Sequence, residues 1–508
     1  MESRTEPQVS LYGEHLVAKE REKKNGVLKI INLMLPCQSF LNEVSKEASN
    51  LGKITCPIVI TSLMLYSRNI TTMFFLGQLG KMELAGGALS IGFANITGFS
   101  LIKGLTMGME PICGQAFAAE RLALFGLTFR RTLTLLFLAT IPISFLWLHM
   151  EPALLWLGQD PTITSTARVY TAFSLPDLLA QALLHPLRIF LRTQGLTTPL
   201  TVAATLAFLL HIPINYFLIF YLKLGVKGVA LASACNTCNL ILALLVYLLF
   251  SDTALKPWDG CTSSDLNFHG WRPLLALALP SAASVCLEWW WYEVMLIFCG
   301  WLDNPKATIA AMGILIQTTG LIYVFPSSLA SGLSTRISHE LGAGRPSKAK
   351  LAATVGLTTA TTCGFMALLF TVTVRNLWGR IFTCERQILG LTSIALPIVG
   401  FCELGNCPQT VGCGVLTGSA RPRVGANIIF SAFYLIGLPV AAISAFIIKV
   451  GFVGLWIGLV AAQFSCVSMV LYIVVRTDWC LQAERAQKLT ETGVEGENTD
   501  VEANLLFT

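Results

Sequence analysis

The sequence predicts an all-α polytopic membrane protein: twelve transmembrane helices in two pseudo-symmetric six-helix lobes. Three observations carry that reading. Of 508 residues, 54% are hydrophobic and only 13% charged, against roughly a quarter charged in a soluble domain. The mean hydropathy is +0.65. Apolar runs long enough to cross a bilayer, about 20 residues each, recur along the chain, and landmarks of the first half return in the second.

The runs fall at 54–77, 85–108, 124–148, 162–184, 196–220 and 226–250, then at 273–300, 307–331, 351–374, 388–415, 427–449 and 451–475. Prolines interrupt the fourth and the tenth. Each run is expected to be helical, because backbone facing lipid has to satisfy its own hydrogen bonds. The domain reading follows: an N-terminal tail 1–53, a first lobe 54–250, a connecting loop 251–272, a second lobe 273–475 and a C-terminal tail 476–508. The tails are polar, and the acidic last one is expected to be disordered. The first fifty residues are charged and polar, so no signal peptide is expected.

Lys and Arg in the connections set the orientation. With both tails inside, the inner loops hold Arg121, Arg188, Arg192, Lys256, Arg336, Arg345, Lys348, Lys350, Arg421 and Arg423. The outer loops hold fewer, among them Lys81, Lys223, Lys227, Lys306 and Arg380. The net charge of +6 therefore needs no nucleic-acid partner. The 15 cysteines sit mostly in apolar runs, and Cys235 with Cys238 lacks the second pair that would complete a metal site. Sequons at Asn69 and Asn95 fall inside helices, where glycosylation is not expected.

The internal repeat shows as Gly104 against Gly332, Gly114 against Gly342, Pro213 against Pro439, Gly225 against Gly451 and Gly228 against Gly454. An even number of helices per half gives both halves the same topology, with a path between them.

An ionisable residue at mid-membrane costs at least about 2.5 kcal/mol, so its presence needs a reason. Glu288 lies sixteen residues beyond Arg272, about 24 Å along a helix at 1.5 Å per residue. Glu293 is nearer the outer end and on another face. Glu403 sits mid-way through the tenth run, followed at steps of three by Asn406 and Gln409 on one face. Pro397 and Pro408 loosen that helix. Burial disfavours a charged carboxylate, which suits a group that loads and unloads a proton. The run Trp289-Trp290-Trp291-Tyr292 covers all faces of its helix, and Trp289 and Tyr292 are candidates to line a cavity for flat organic molecules. Asp177, after Pro176, is a further cavity candidate, as is Asn215 in the kinked fifth run near His211. The first run carries Arg68 and Asn69 but no acid, so proton coupling through that half is unsupported.

Glu110-Pro111-Ile112-Cys113-Gly114-Gln115-Ala116-Phe117-Ala118-Ala119 resembles a loop signature of plant multidrug and toxic compound extrusion (MATE) transporters. Glu340-Leu341-Gly342-Ala343-Gly344-Arg345-Pro346 is similar to its second-half counterpart, and Cys286-Leu287-Glu288-Trp289-Trp290 resembles the seventh helix. The resemblance implies a two-lobe exchanger that expels organic solutes against inward protons. Its proton site would use Glu288 and an Asp of the tenth helix; by the flanking Gln409 and Gly414, that Asp position is Asn406 here. Glu403, one turn earlier, is the candidate substitute. The implied partners are a small organic substrate, protons and the lipid bilayer, with no cofactor, no metal, a monomeric state, and a plasma or internal membrane (vacuole, Golgi or endosome). Sodium coupling, a membrane-embedded transferase and a lipid flippase are the competing readings. A flippase would be expected to carry more basic residues inside its cavity than Arg68.

Overall fold

The computed structural model describes residues 8–156, 159–251 and 271–492, with side chains between 41 and 491. Met1–Asn50 forms a unit of its own, helical where described, and Leu51–Thr508 forms the main body. No strand occurs among the described residues.

Among the described residues, eleven helices are long and apolar enough to cross a membrane. In chain order these are α1 (Leu41–Leu79), α2 (Lys81–Ala118), α3 (Leu122–Leu148), α5 (Thr197–Tyr221), α6 (Val226–Leu249), α7 (Arg272–Cys299), α8 (Pro305–Gly342), α9 (Pro346–Val374), α10 (Arg386–Gly418), α11 (Pro422–Ile447) and α12 (Phe452–Val475). The twelfth element, α4, is made of Pro161–Phe173 and Leu175–Thr193, divided at Ser174. Asp160 caps its start, accepting from the Thr162 and Ile163 amides. The second piece is too charged for a lipid-facing helix, with Asp177, Arg188 and Arg192 in 19 residues. The fourth run expected at 162–184 is therefore longer than its apolar part. Arg188 and Arg192, read as loop cations, lie on a buried helix, and Arg336 likewise sits inside α8. The expected loop 251–272 lies almost wholly outside the described residues.

The repeat is real, and two of its pairs shift by a turn. Arg121 N bonds Ala116 O and Arg345 N bonds Glu340 O, both at 2.8 Å, so Arg121 matches Arg345. Gly108, rather than Gly104, then matches Gly332, and Gly114 matches Ser338. A four-residue slip is about one turn, so the mispaired glycines had kept the right face. The pair Gly225 and Gly451 holds as read: they open α6 and α12 at φ 57° and φ 66°, a backbone region that favours glycine.

α2 and α8 cross reciprocally near their ends. A Cβ on Gly114 would strike Ser338, and one on Gly342 would strike Gln115. α7 packs on both α2 and α11. Its first turns (Leu274, Leu277, Ala278, Ala282) join apolar clusters of the first half. Its last turns (Trp291, Met295, Cys299) join the core of the second half. Glu288 sits where this helix passes from one to the other.

The expected disordered C-terminal tail is corrected over Trp479–Thr492, which is helical. Trp479, Ala483 and Ala486 pack into the second-half core and Leu489 into the first-half core. Their spacing of four, three and three makes one apolar stripe. Arg121 Nη1 donates to Thr490 O at 2.9 Å. Residues 493–508 lie outside the described ones. Ending the chain at Thr477 should cost about 2–4 kcal/mol of apolar burial, read as a fall in the unfolding midpoint of purified protein. An unchanged midpoint would mean the stripe contributes nothing.

Candidate functional site

Between the halves lies a cavity of about 160 Å³, smaller than the ~300–1,000 Å³ of drug-sized pockets. α2 supplies Lys103 and Glu110, α4 supplies His185, Arg188 and Arg192, α7 supplies Glu288 and Trp289, α8 supplies Tyr323, and α10 supplies Gln409. On α4, residues 185, 188 and 192 recur at steps of three and four, so one helical face carries all three.

The lining charges are partly paired. Arg192 Nη2 lies 2.5 Å from Glu110 Oε1, and its Nε donates to Thr335 Oγ1 across the halves at 3.1 Å. Lys103 Nζ stands 5.0 Å from the Trp289 ring centre and 5.9 Å from that of Tyr323. Glu288, half-buried, lies within charge range of Lys103 and has no hydrogen-bond partner among the described residues. Arg188 makes no hydrogen bond or ion pair among them either.

Glu403 and Asn406 are 1% and 2% exposed and do not line the cavity. Asn406 Nδ2 donates to Glu403 Oε2 at 2.8 Å. Asn406 Oδ1 faces Thr410 Oγ1 and Gln463 Nε2, both at 3.4 Å. Three residues beyond Asn406, Gln409 does line the cavity, fully buried, and neither its Oε1 nor its Nε2 has a partner among the described residues. Replacing Asn406 with Ala should therefore cost about 1–3 kcal/mol, since Glu403 loses a buried donor. Thermal unfolding in detergent checks this, and an unchanged midpoint would count against the bond.

The remaining candidates separate. Trp289 lines the cavity; Tyr292 packs against the second-half core. Asp177 and Asn215, read as cavity residues, belong to a buried polar network in the first half. Asp177 Oδ1 accepts from Thr237 Oγ1 at 2.5 Å, and its Oδ2 lies 3.8 Å from Arg68 Nη1. Asn215 Nδ2 donates to the His211 carbonyl at 2.8 Å. Here Arg68 supplies the counter-charge that the first helix offers instead of an acid.

The motif residues are helical rather than loop, because each motif closes a membrane helix. Glu110, Gly114 and Gln115 lie in the last turns of α2, and Glu340 and Gly342 in the last turns of α8. Only Gly344 is in a turn, at φ 67°. Gln115 Nε2 donates to Gly418 O at 3.3 Å, and Glu340 pairs with Arg336 at 2.6 Å and Arg345 at 2.8 Å. Lys103, Arg188, Arg192 and Tyr323 were missed as site residues, although the 185–188–192 spacing was there to be read.

Two related sets of six helices meeting at a cavity lined by ionisable groups from both define a two-lobed membrane transporter. The MatE family model matches the chain twice, over 57–217 and 280–443, one copy per half. Protein DETOXIFICATION 53 of Arabidopsis thaliana is 54% identical over 460 residues, covering 91% of this chain and 94% of that one. Protein DETOXIFICATION 48 of the same plant is 55% identical over 452 residues, covering 89% and 84%. The crystal structure of the eukaryotic MATE transporter AtDTX14 aligns with a TM-score of 0.85 at 29% identity, over 88% of this chain and 100% of that one. The Vibrio cholerae transporter VcmN in its bent form shares the fold at 18% identity, with a TM-score of 0.73 over 92% and 100%. The chain belongs to the MatE family of integral membrane transporters.

Proposed function

We propose that this transporter exports organic solutes by proton antiport through alternating access. The observation that carries the reading is Glu288: a carboxylate with no hydrogen-bond partner among the described residues, in the central cavity, on the helix that packs against both halves. Its protonation alters the charge balance against Lys103 at the point where α7 changes partners. Glu403 lies within charge range of Glu288, so it can share in the same proton cycle while remaining outside the cavity. A proton shifts the two-state equilibrium only if it binds the two states unequally, and a site spanning both halves provides for that.

The test is substrate movement across proteoliposomes under an imposed pH gradient, screening organic cations, flavonoids and weak acids. Sodium replaced by choline separates the coupling ions: transport that follows sodium and ignores the pH gradient would sink the proton reading. Glu403→Gln should slow gradient-driven transport by roughly tenfold or more, about the 1.4 kcal/mol per decade of a lost interaction; an unchanged rate would confine Glu403 to packing. A second reading, flipping of an anionic lipid, draws on the cavity cations Lys103, Arg188 and Arg192. Movement of a headgroup-labelled lipid between leaflets, without solute transport, would favour it.

A further inference from the structure

The charges and ring faces of the cavity bear on which solute it takes. Three cations line it, Lys103, Arg188 and Arg192, against two carboxylates, Glu110 and Glu288. Glu110 is committed to Arg192 at 2.5 Å. That leaves two cations facing one acid, with Arg188 inside the charge range of both Lys103 and Arg192. Gathering like charges in a poorly hydrated space is unfavourable unless a counter-charge joins them. Arg188 has no partner among the described residues, and its planar fork of N–H donors matches a carboxylate in two parallel hydrogen bonds.

The aromatic faces point the same way. Trp289 and Tyr323 are where an organic cation would stack. Lys103 Nζ already stands over both, at 5.0 and 5.9 Å. The chain's own ammonium thus fills the place of a cationic ligand, while ring edges and the rest of the lining remain for an apolar body. Gln409 adds a second signal. It is fully buried, it lines the cavity, and both of its polar atoms are unpartnered among the described residues. A buried amide is normally satisfied, so its free donor and acceptor are ready to orient a polar group of a bound molecule.

We infer that the cavity binds its substrate as an organic anion, an aromatic carboxylate or phenolate, with Arg188 as the main anion partner and Gln409 orienting the polar end. The inference rests on the reading of this cavity as the transport path, and not on which ion drives transport.

Three probes share one ring system and differ in charge: indole-3-acetate, indole-3-ethanol and tryptamine. Their binding to the purified full-length protein is measured by isothermal titration. Indole-3-acetate should bind at least about tenfold more tightly than either analogue, or ~1.4 kcal/mol. Arg188→Gln should bring it down to the level of indole-3-ethanol, whose own affinity stays put, and Arg188→Lys should recover part of the difference. Should Arg188→Gln fail to yield folded protein, Lys103→Gln provides the same readout, with a smaller loss for the acetate. Tryptamine binding as tightly as the acetate, the alcohol equalling it, or no acetate binding at all would each overturn the inference. So would displacement of the acetate by phosphatidate in nanodiscs with no indole preference, which would make the ligand a lipid. Proteoliposomes that move indole-3-acetate without responding to a pH gradient would leave the anion assignment standing and remove proton coupling. Gradient-driven movement of tryptamine alone would do the reverse.

Discussion

Replacing Glu288 with Gln should abolish pH-driven transport, a fall of about a hundredfold or more to the rate of empty vesicles, while the protein still reaches the membrane and purifies as a folded species. Gln keeps the shape and hydrogen-bonding capacity of a protonated Glu, and it cannot release the proton. The variant is therefore held in one of the two charge states between which the cycle must pass. Moving a two-state equilibrium from one side almost wholly to the other takes about 5.5 kcal/mol of unequal binding. A carboxylate on α7 is placed to deliver it, since that helix packs with Ala278 and Ala282 in the first half and with Trp291 and Met295 in the second. The measurement is the initial rate in proteoliposomes under an imposed gradient, alongside substrate–substrate exchange without one. Loss of the first with survival of the second would place the lesion in proton handling rather than in the substrate site. Gradient-driven transport at the normal rate would return Glu288 to a structural role.

Glu288 was legible in the sequence because an acid inside an apolar run is conspicuous, and its distance from Arg272 places it mid-membrane. Asn406 and Gln409 were legible for a similar reason, since steps of three put them on the face of Glu403. The cations were not. Arg188 and Arg192 lowered the hydropathy of their own segment, so the fourth run seemed to end at 184 and the two arginines read as loop. In the folded chain that hydropathy dip is the cavity wall. Asp177 and Asn215 were read as cavity candidates, but the Asp177 partners Arg68 and Thr237 stand on other helices, and Asn215 bonds the His211 carbonyl one turn back on its own helix. One-dimensional periodicity says which face a residue occupies and not what stands opposite. The C-terminal helix was missed for a related reason: its stripe of Trp479, Ala483, Ala486 and Leu489 is narrow and set among charges, so composition outweighed periodicity.

The second large effect is expected at Glu110 and Arg192. Their side chains are 4% and 11% exposed, and they join α2 to α4 where Arg192 also reaches Thr335 on α8. Glu110→Gln leaves a guanidinium buried beside Arg188 without its counter-charge, and breaking a buried pair in this way costs about 3–5 kcal/mol. Arg192→Gln strands the carboxylate and should cost a similar amount. If the pair is the source of the stability, the losses are not additive: the double variant Glu110→Gln with Arg192→Gln should be less damaged than the two single costs together imply, because no uncompensated charge remains. Unfolding midpoints of the four proteins in one detergent close the cycle, and a coupling energy near zero would show that the two residues act independently. The double variant should also keep its preference for indole-3-acetate over tryptamine, since Lys103 and Arg188 still outnumber Glu288. A pair that holds the helices together and leaves the net charge of the cavity unchanged has to separate in this way, with stability lost and charge selectivity retained.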